Sequence, residues 1–271
     1  MTRIGITGAA GKMGKTLIQM ISEHSQLQLT AAIEMPETTF IAKDAGELAG
    51  IGNIGVVVSD SLEAVLDEFD VLIDFTVAAA TVVNMETCAA SGKRMVIGTT
   101  GLNESERSRL EELSAKMPVV FASNFSVGVN ATFKLLEVAA RIIGEEADIE
   151  IQETHHRHKV DAPSGTALTM GEIVAGVLNR DLSEVARYGR QGQTGQRERK
   201  EIGFHSIRAG DVVGEHTVVF ATTGERIEVT HRAHSRDNFA EGAVRAAAWI
   251  GQQPAGIYDM RDVLGLDSIV I

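Results

Sequence analysis

Residues 153–167 read ETHHRHKVDAPSGTA, and His155, His156, Arg157, His158 and Lys159 occupy five consecutive positions. Histidine, with an ordinary pKa of about 6.5, suits proton transfer near neutrality. Lysine offers a compact positive charge to a carboxylate. Pro163-Ser164-Gly165-Thr166 then opens a helical pattern. The first N–H groups of such a helix, Gly165 and Thr166, attract an anion. Together these residues predict a small dianionic ligand with an acid beside it. Ser164 has two readings, as part of that site or as a simple N-cap. No metal is expected. An extended chain turns His155 away from His156 and His158, no cysteine is near, and H-E-x-x-H is absent. The same alternation puts His155 and Lys159 on one face, about 13 Å apart if fully extended. A bend after His155 would close that gap.

The second chemical segment is ITGAAGKMGKTL, residues 6–17, with Gly8, Gly11 and Gly14 in G-x-x-G-x-x-G spacing. It follows an apolar strand pattern and opens a helical one. Glycines there permit positive φ and close approach of a diphosphate, and the helix start supplies N–H groups. Glu34 follows Gly14 by 20 residues, where an acid accepts hydrogen bonds from an adenosine ribose. The spacing predicts dinucleotide binding; a structural turn or a mononucleotide site remains the alternative, as does a merely solvated Glu34. A carboxylate at this position favours NADH and repels a 2′-phosphate. Met35 brings no compensating charge, and Lys12 and Lys15 are the residues that could supply positive charge near the same pocket.

These segments need elements to hold them. Apolar runs at 3–7, 29–33, 71–75, 94–98 and 118–122 alternate with helical patterns, one of them carrying Met13, Leu17, Met20, Ile21 and His24 on one face. Further helices are expected at 78–91 and 103–116. The pattern predicts an α/β, Rossmann-like doubly wound parallel sheet. Its character changes near residue 126. Helices are expected at 130–143 and 164–179, a strand at 148–155, antiparallel strands across 200–233 and a last helix at 237–251. The polar, glycine-rich segment 187–200 is expected to be a mobile loop.

The chain has 271 residues and a formal net charge of -12, with 37 Asp+Glu against 25 Lys+Arg. That balance argues against broad nucleic-acid or membrane binding. Apolar runs stay short of the roughly 18–20 residues that span a bilayer. Cys88 is the single cysteine, so no intrachain disulfide is expected, and MTRIGITGAAGKMG lacks a signal-peptide layout. The expectation is a cytoplasmic protein.

ETHHRHKVDAPSGTA matches the signature E-x-H-H-x-x-K-x-D-x-P-S-G-T-A, and by it the chain resembles the 4-hydroxy-tetrahydrodipicolinate (dihydrodipicolinate) reductases of lysine and diaminopimelate synthesis. GAAGKMG (8–14), IDFT (73–76), IGTTG (97–101), NFSVGVN (124–130) and RAGDVVGEH (208–216) extend the resemblance over essentially the whole chain. The resemblance implies a nucleotide domain of residues 1–126 plus 236–271, and an inserted α+β substrate and tetramerisation domain of 127–235. It implies a cofactor over Gly8, Ala9, Ala10, Gly11, Lys12 and Met13, with Glu34 on the ribose. Gly98, Thr99 and Thr100, with Ala122, Ser123, Asn124 and Phe125, would approach the nicotinamide side. His155 would be the proton donor and Lys159 would bind or help protonate the substrate, a small dicarboxylate also held by His156, Gly165 and Thr166. Water would be lost before or with reduction, hydride would reach ring C4 and the adjacent carbon would be protonated, in a homotetramer. Many relatives have arginine where this chain has Met35, so both NADH and NADPH are expected to serve, NADH at least as well. Two other functions compete. One is a different nicotinamide enzyme, such as a semialdehyde or homoserine dehydrogenase-like relative, the former of which would need Cys88 to be reactive. The other, a non-catalytic NAD-binding sensor, would have little need of His155, Lys159 and the Gly165-Thr166 anion site together. His231 and His234 are expected to pack rather than react.

Overall fold

β1 (Thr2–Thr7) is buried continuously from Ile4 to Thr7, the mark of a central strand covered on both faces. The computed structural model describes residues 1–269. They divide into two compact units, one of Met1–Val127 with Asp237–Ser268, the other built on Gly128–Arg236.

In the first unit β1 is followed by α1 (Lys12–Ser22), β2 (Leu27–Ile33), α2 (Ala45–Ala49), β3 (Val58–Ser59), β4 (Val71–Asp74), α3 (Ala78–Ala90), β5 (Arg94–Ile97), α4 (Glu104–Ser114) and β6 (Pro118–Phe121). The second unit carries α5 (Val127–Ile143), β7 (Asp148–His155), α6 (Gly165–Val177), α7 (Leu182–Val185), β8 (Ala186–Tyr188), β9 (Ile202–Arg208), β10 (Gly214–Thr222) and β11 (Glu225–Ala233). The chain then returns with α8 (Asp237–Ile250), β12 (Gly256–Tyr258) and α9 (Met260–Leu264).

The first unit's sheet runs β12-β6-β5-β4-β1-β2-β3, all parallel. The Rossmann-like expectation holds. β3 and β12 were not anticipated, because two or three residues carry no legible alternation. α1 turns Leu17, Ile18 and Ile21 into a core shared with β1, β2 and α8. A second core under the other face joins Leu72, Met95 and Val119 to Met85, Cys88, Leu110 and Leu113.

The second unit has the five-stranded sheet β11-β10-β7-β9-β8. Ile149 and Ile151 of β7, Ile202 and Phe204 of β9, and Val218 and Phe220 of β10 pack with Leu136 of α5 and Met170 and Val174 of α6. The expectation of antiparallel strands throughout 200–233 is corrected. β10 and β11 are antiparallel, but β9 pairs in parallel with both β7 and β8. A helical connection such as α6 returns the chain to its starting end and so permits a parallel strand. The segment 189–201 has no helix or strand. Its Arg190 and Arg197 are nevertheless anchored on Glu150 of β7, and a Cβ on Gly203 would occupy the place of that carboxylate.

Candidate active site

The site residues fall into two half-sites, one in each unit. In the first, β1 ends at Gly8, whose φ of +66° is readily adopted only by glycine. Gly11 donates its N–H to the Gly8 carbonyl at 3.0 Å and begins α1 without a side-chain cap. Gly14 is buried, and a Cβ there would collide with the Gly8 oxygen and the Ala9 backbone. Helix and turn therefore approach as closely as only glycine allows. The exposed Lys12 and half-buried Met13 follow at the helix start. Glu34, just past β2, accepts from the Ala10 N–H at 2.8 Å and from the Met35 N–H at 3.1 Å. Its carboxylate retains lone pairs for a ribose hydroxyl. Met35 is 71% exposed and adds no charge. This turn, tight, glycine-lined and opening an uncapped helix, fits a dinucleotide diphosphate.

The ends of β4, β5 and β6 extend the same edge. Asp74 is fully buried at the end of β4. It accepts from Thr76 N–H at 2.9 Å, Thr76 Oγ1 at 2.6 Å and Asn84 Nδ2 at 2.9 Å. Thr99 Oγ1 lies 3.4 Å from the same carboxylate and receives the Thr81 hydroxyl at 2.8 Å. Gly98 is required where it stands, since a Cβ would enter the Phe75 ring. Phe75 in turn meets Phe125, ring centroids 5.3 Å apart. Asn124 Oδ1 accepts the Ser126 N–H at 2.9 Å; Thr100 and Ser123 are exposed, and Ala122 is half-buried.

The second half-site begins at the end of β7. Alternation puts Glu153 and His155 on the helix-covered face, and both are buried. Glu153 Oε2 lies 2.5 Å from His155 Nδ1. Arg208 of β9 grips the same carboxylate with two N–H groups at 2.8 Å each, a bidentate fork. The Ser164 N–H adds a contact at 3.3 Å. Burial would raise the Glu153 pKa, but Arg208, Ser206 and His155 hold it down at about 2. Burial lowers the His155 pKa, and Lys159 and Arg208 push the same way; Glu153 opposes them.

The chain bends after His155: Lys159 donates its N–H to the His156 carbonyl at 3.1 Å. Lys159 Nζ lies 2.9 Å from Asp161, so its present carboxylate partner is internal. His156 pairs its ring with His158 at 6.2 Å. It lines an open pocket of about 750 Å³ with Arg157, His158, Gly210, Asp211 and Arg236. Among the described residues no group of three or more His, Cys, Asp or Glu is placed to hold a metal ion. Ser164 caps α6, accepting the Ala167 N–H at 3.2 Å. The exposed Gly165 and half-buried Thr166 open that helix, and at Gly165 even a Cβ would meet nothing within 4 Å. His216 of β10 joins its Nε2 to Ser164 Oγ at 2.9 Å and sets its ring edge against His155 at 5.1 Å. Burial and the neighbouring His155 lower the His216 pKa to about 4. His231 lies opposite His216 across the β10–β11 ladder, and burial lowers its pKa. His234 is exposed.

Glu153, Arg208, His216 and Gly214 were not singled out from the sequence. Glu153 was within reach, since a residue two before a strand histidine shares its face. Cys88 is fully buried, and desolvation pushes its pKa up to about 12. It does not have the chemistry of a reactive thiol.

Two family descriptions match the chain: "Dihydrodipicolinate reductase, N-terminus" over residues 2–125 and "Dihydrodipicolinate reductase, C-terminus" over 128–264. The chain is 59% identical to a 4-hydroxy-tetrahydrodipicolinate reductase of Pseudomonas fluorescens strain Pf-5 over 98% of its own length and 100% of the relative's. It is 60% identical, with the same coverage, to that of strain SBW25. Among solved structures, the dipicolinate-bound dihydrodipicolinate reductase of Paenisporosarcina sp. TG-14 shares the fold with a TM-score of 0.77 and 24% identity, each chain covered in full. An amine dehydrogenase of Mycobacterium smegmatis has a TM-score of 0.60 at 12% identity, with 95% of this chain and 94% of that one covered.

Proposed function

Because this chain belongs to the dihydrodipicolinate reductase family, we propose that its two half-sites divide the nicotinamide-dependent reduction of 4-hydroxy-tetrahydrodipicolinate between them. That reduction serves lysine and diaminopimelate biosynthesis. Gly8, Ala9, Ala10, Gly11, Lys12 and Met13 hold the diphosphate and Glu34 takes the adenosine ribose. Gly98, Thr99 and Thr100, with Ala122, Ser123, Asn124 and Phe125, form the nicotinamide side. The 4-hydroxyl leaves as water before or with the reduction, and a nicotinamide held there would supply the hydride to ring C4.

The reduced ring then needs a proton on the adjacent carbon, and His155 donates it. The observation that carries this assignment is the buried His155, tied through Nδ1 to Glu153 at 2.5 Å beside Lys159 and the start of α6. Lys159 exchanges Asp161 for a substrate carboxylate. Gly165 and Thr166, with His156, hold the substrate's other polar groups. A dicarboxylate ligand accords with the dipicolinate named for the Paenisporosarcina structure.

Both cofactors serve, NADH at least as well, because Glu34 disfavours a 2′-phosphate and Met35 cannot offset it. The second unit's sheet mediates a homotetramer. Its face away from the helices carries Gln152, Thr217, Thr230 and Arg232, which sedimentation can test as a self-association surface. No helix among the described residues is long and apolar enough to cross a membrane, and the enzyme works in the cytoplasm.

The test is oxidation at 340 nm of NADH and NADPH, in parallel, with enzymatically generated substrate. Substrate-dependent oxidation with NADH at least as efficient is expected. A clearly higher kcat/KM for NADPH overturns the preference. Binding of NADH without turnover favours a sensor.

A further inference from the structure

We propose that Glu153, clamped by Arg208, is the positioning residue that fixes which nitrogen of His155 exchanges the proton. This rests on the reading of His155 as the proton donor.

Glu153 is among the most buried charged residues of the second unit, its side chain 1% exposed. A carboxylate that ionises at about 2 is acceptor-only at neutral pH. Oε2 takes His155 Nδ1 and one arm of Arg208; Oε1 takes the other arm and the Ser164 N–H. His155 Nδ1 must therefore carry a hydrogen whether the ring is neutral or charged. The nitrogen left to gain and lose a proton is Nε2. Space around that nitrogen is kept by Gly214, where a Cβ would come within 3.1 Å of it. Donation from Nε2 thus leaves the Nδ1–H tautomer already paired with Glu153, and no ring flip is needed between turnovers.

Arg208 has a second task. Its Nη2 donates to the Asp161 carbonyl at 2.6 Å, so the same guanidinium ties the Lys159–Asp161 loop to the Glu153 carboxylate. It also tempers that carboxylate, whose full charge would otherwise raise the His155 pKa further. The charged and titratable groups around His155 are Glu153 on its own strand, Arg208 on β9, Lys159 on the loop and His216 on β10. His231 stands behind His216. Glu153 favours the imidazolium. Arg208 and Lys159 oppose it, and His216, with a pKa of about 4, is neutral at the pH of turnover.

Opposite shifts follow for two variants. Glu153→Gln removes the negative charge and keeps the volume, so the His155 pKa falls. Arg208→Met removes the positive charge and leaves the carboxylate, so it rises. Each shift is about one pH unit for loss of a paired charge. As general acid, His155 works while protonated, so the falling limb of kcat against pH moves down in Glu153→Gln and up in Arg208→Met. Histidine NMR on the full-length protein, assigned by loss of the His155 resonance in His155→Gln, reads the pKa and tautomer without turnover. Opposite shifts in NMR and kcat, with Nδ1–H in the unmodified protein, are the expected result. An Nε2–H tautomer, or a His155 pKa unmoved in a folded Glu153→Gln or Arg208→Met protein, overturns the positioning role. If NMR shifts while the kcat limb stays, His155 is not the donor, and the positioning of its ring by Glu153 stands.

Discussion

Two carboxylates are buried at strand ends, Asp74 on β4 and Glu153 on β7, and they are satisfied in opposite ways. Asp74 receives neutral donors: a backbone N–H, the Thr76 hydroxyl and the Asn84 amide. Glu153 receives a guanidinium fork and an imidazole. The first arrangement fixes a loop shape; the second couples a charge to an imidazole whose pKa burial lowers and Glu153 raises. A buried acid thus serves as a brace or as a control on proton transfer according to its partners.

The largest expected effect lies on the charged side. His155→Ala should lower kcat about 10²–10⁴-fold, the range for loss of a general acid. NADH affinity, which we assign to the glycine loop and Glu34 of the first unit, should stay near that of the unmodified protein in a fluorescence titration. Equal losses of kcat and NADH affinity would dissolve the distinction between the half-sites.

Next comes acid stability. Glu153 ionises at about 2 when folded against an ordinary 4.5. Its folded pKa is depressed, so its contribution is complete above about 4.5 and is lost as pH falls toward 2. The amount is on the order of 3 kcal/mol. Glu150, held at about 2 against burial by Arg190, Arg197 and His205, loses stability in the same window. Subtracting urea midpoints of Glu153→Gln from those of the unmodified protein, at pH 5.5 and 3.5, isolates Glu153. The variant should be less stable at pH 5.5, because Arg208 loses its partner, and should show a shallower acid dependence. Parallel curves for the two proteins would remove Glu153 from the acid response.

A smaller effect tests the cofactor side. Met35→Arg should raise kcat/KM for NADPH relative to NADH by about tenfold, the equivalent of one charge-assisted contact of about 1.4 kcal/mol. An unchanged ratio would mean that position 35 does not face the 2′ position.

How much of this was legible in advance follows from the distance, along the chain, of what each residue touches. The glycine loop and Glu34 could be read because strand, turn, helix and acid follow in one local order. Lys159 could be placed near His155 only by assuming a bend, which the 156–159 turn supplies. Glu153 needed only the alternation of β7, read backward from His155 rather than forward. Arg208 did not yield to local reading. It stands 55 residues from Glu153 and arrives through the parallel pairing of β7 with β9, a pairing that alternation within each strand does not reveal. Asp74 was hidden for a similar reason: Asn84 and Thr99 lie 10 and 25 residues away. The segment 187–200 read as a mobile loop because its anchors on Glu150 are likewise distant, 40 residues for Arg190 and 47 for Arg197.

The smallest expected effect returns to Asp74. Asp74→Asn keeps the shape and one acceptor oxygen but turns an amide N–H₂ toward donors. Thr76 and Asn84 cannot all remain paired, at a cost of about 1–3 kcal/mol for a buried unsatisfied group. Thr99 and the Phe75–Thr76 turn should loosen, so the KM for NADH should rise modestly. The falling limb of kcat against pH should not move, because Asp74 acts through neutral hydrogen bonds rather than through a titrating partner. That stationary limb separates the two carboxylates. A displacement in Asp74→Asn as large as the one expected for Glu153→Gln would mean that loosening a buried acid of either kind perturbs the proton donor, and that the chemistry of the partners is not what distinguishes them.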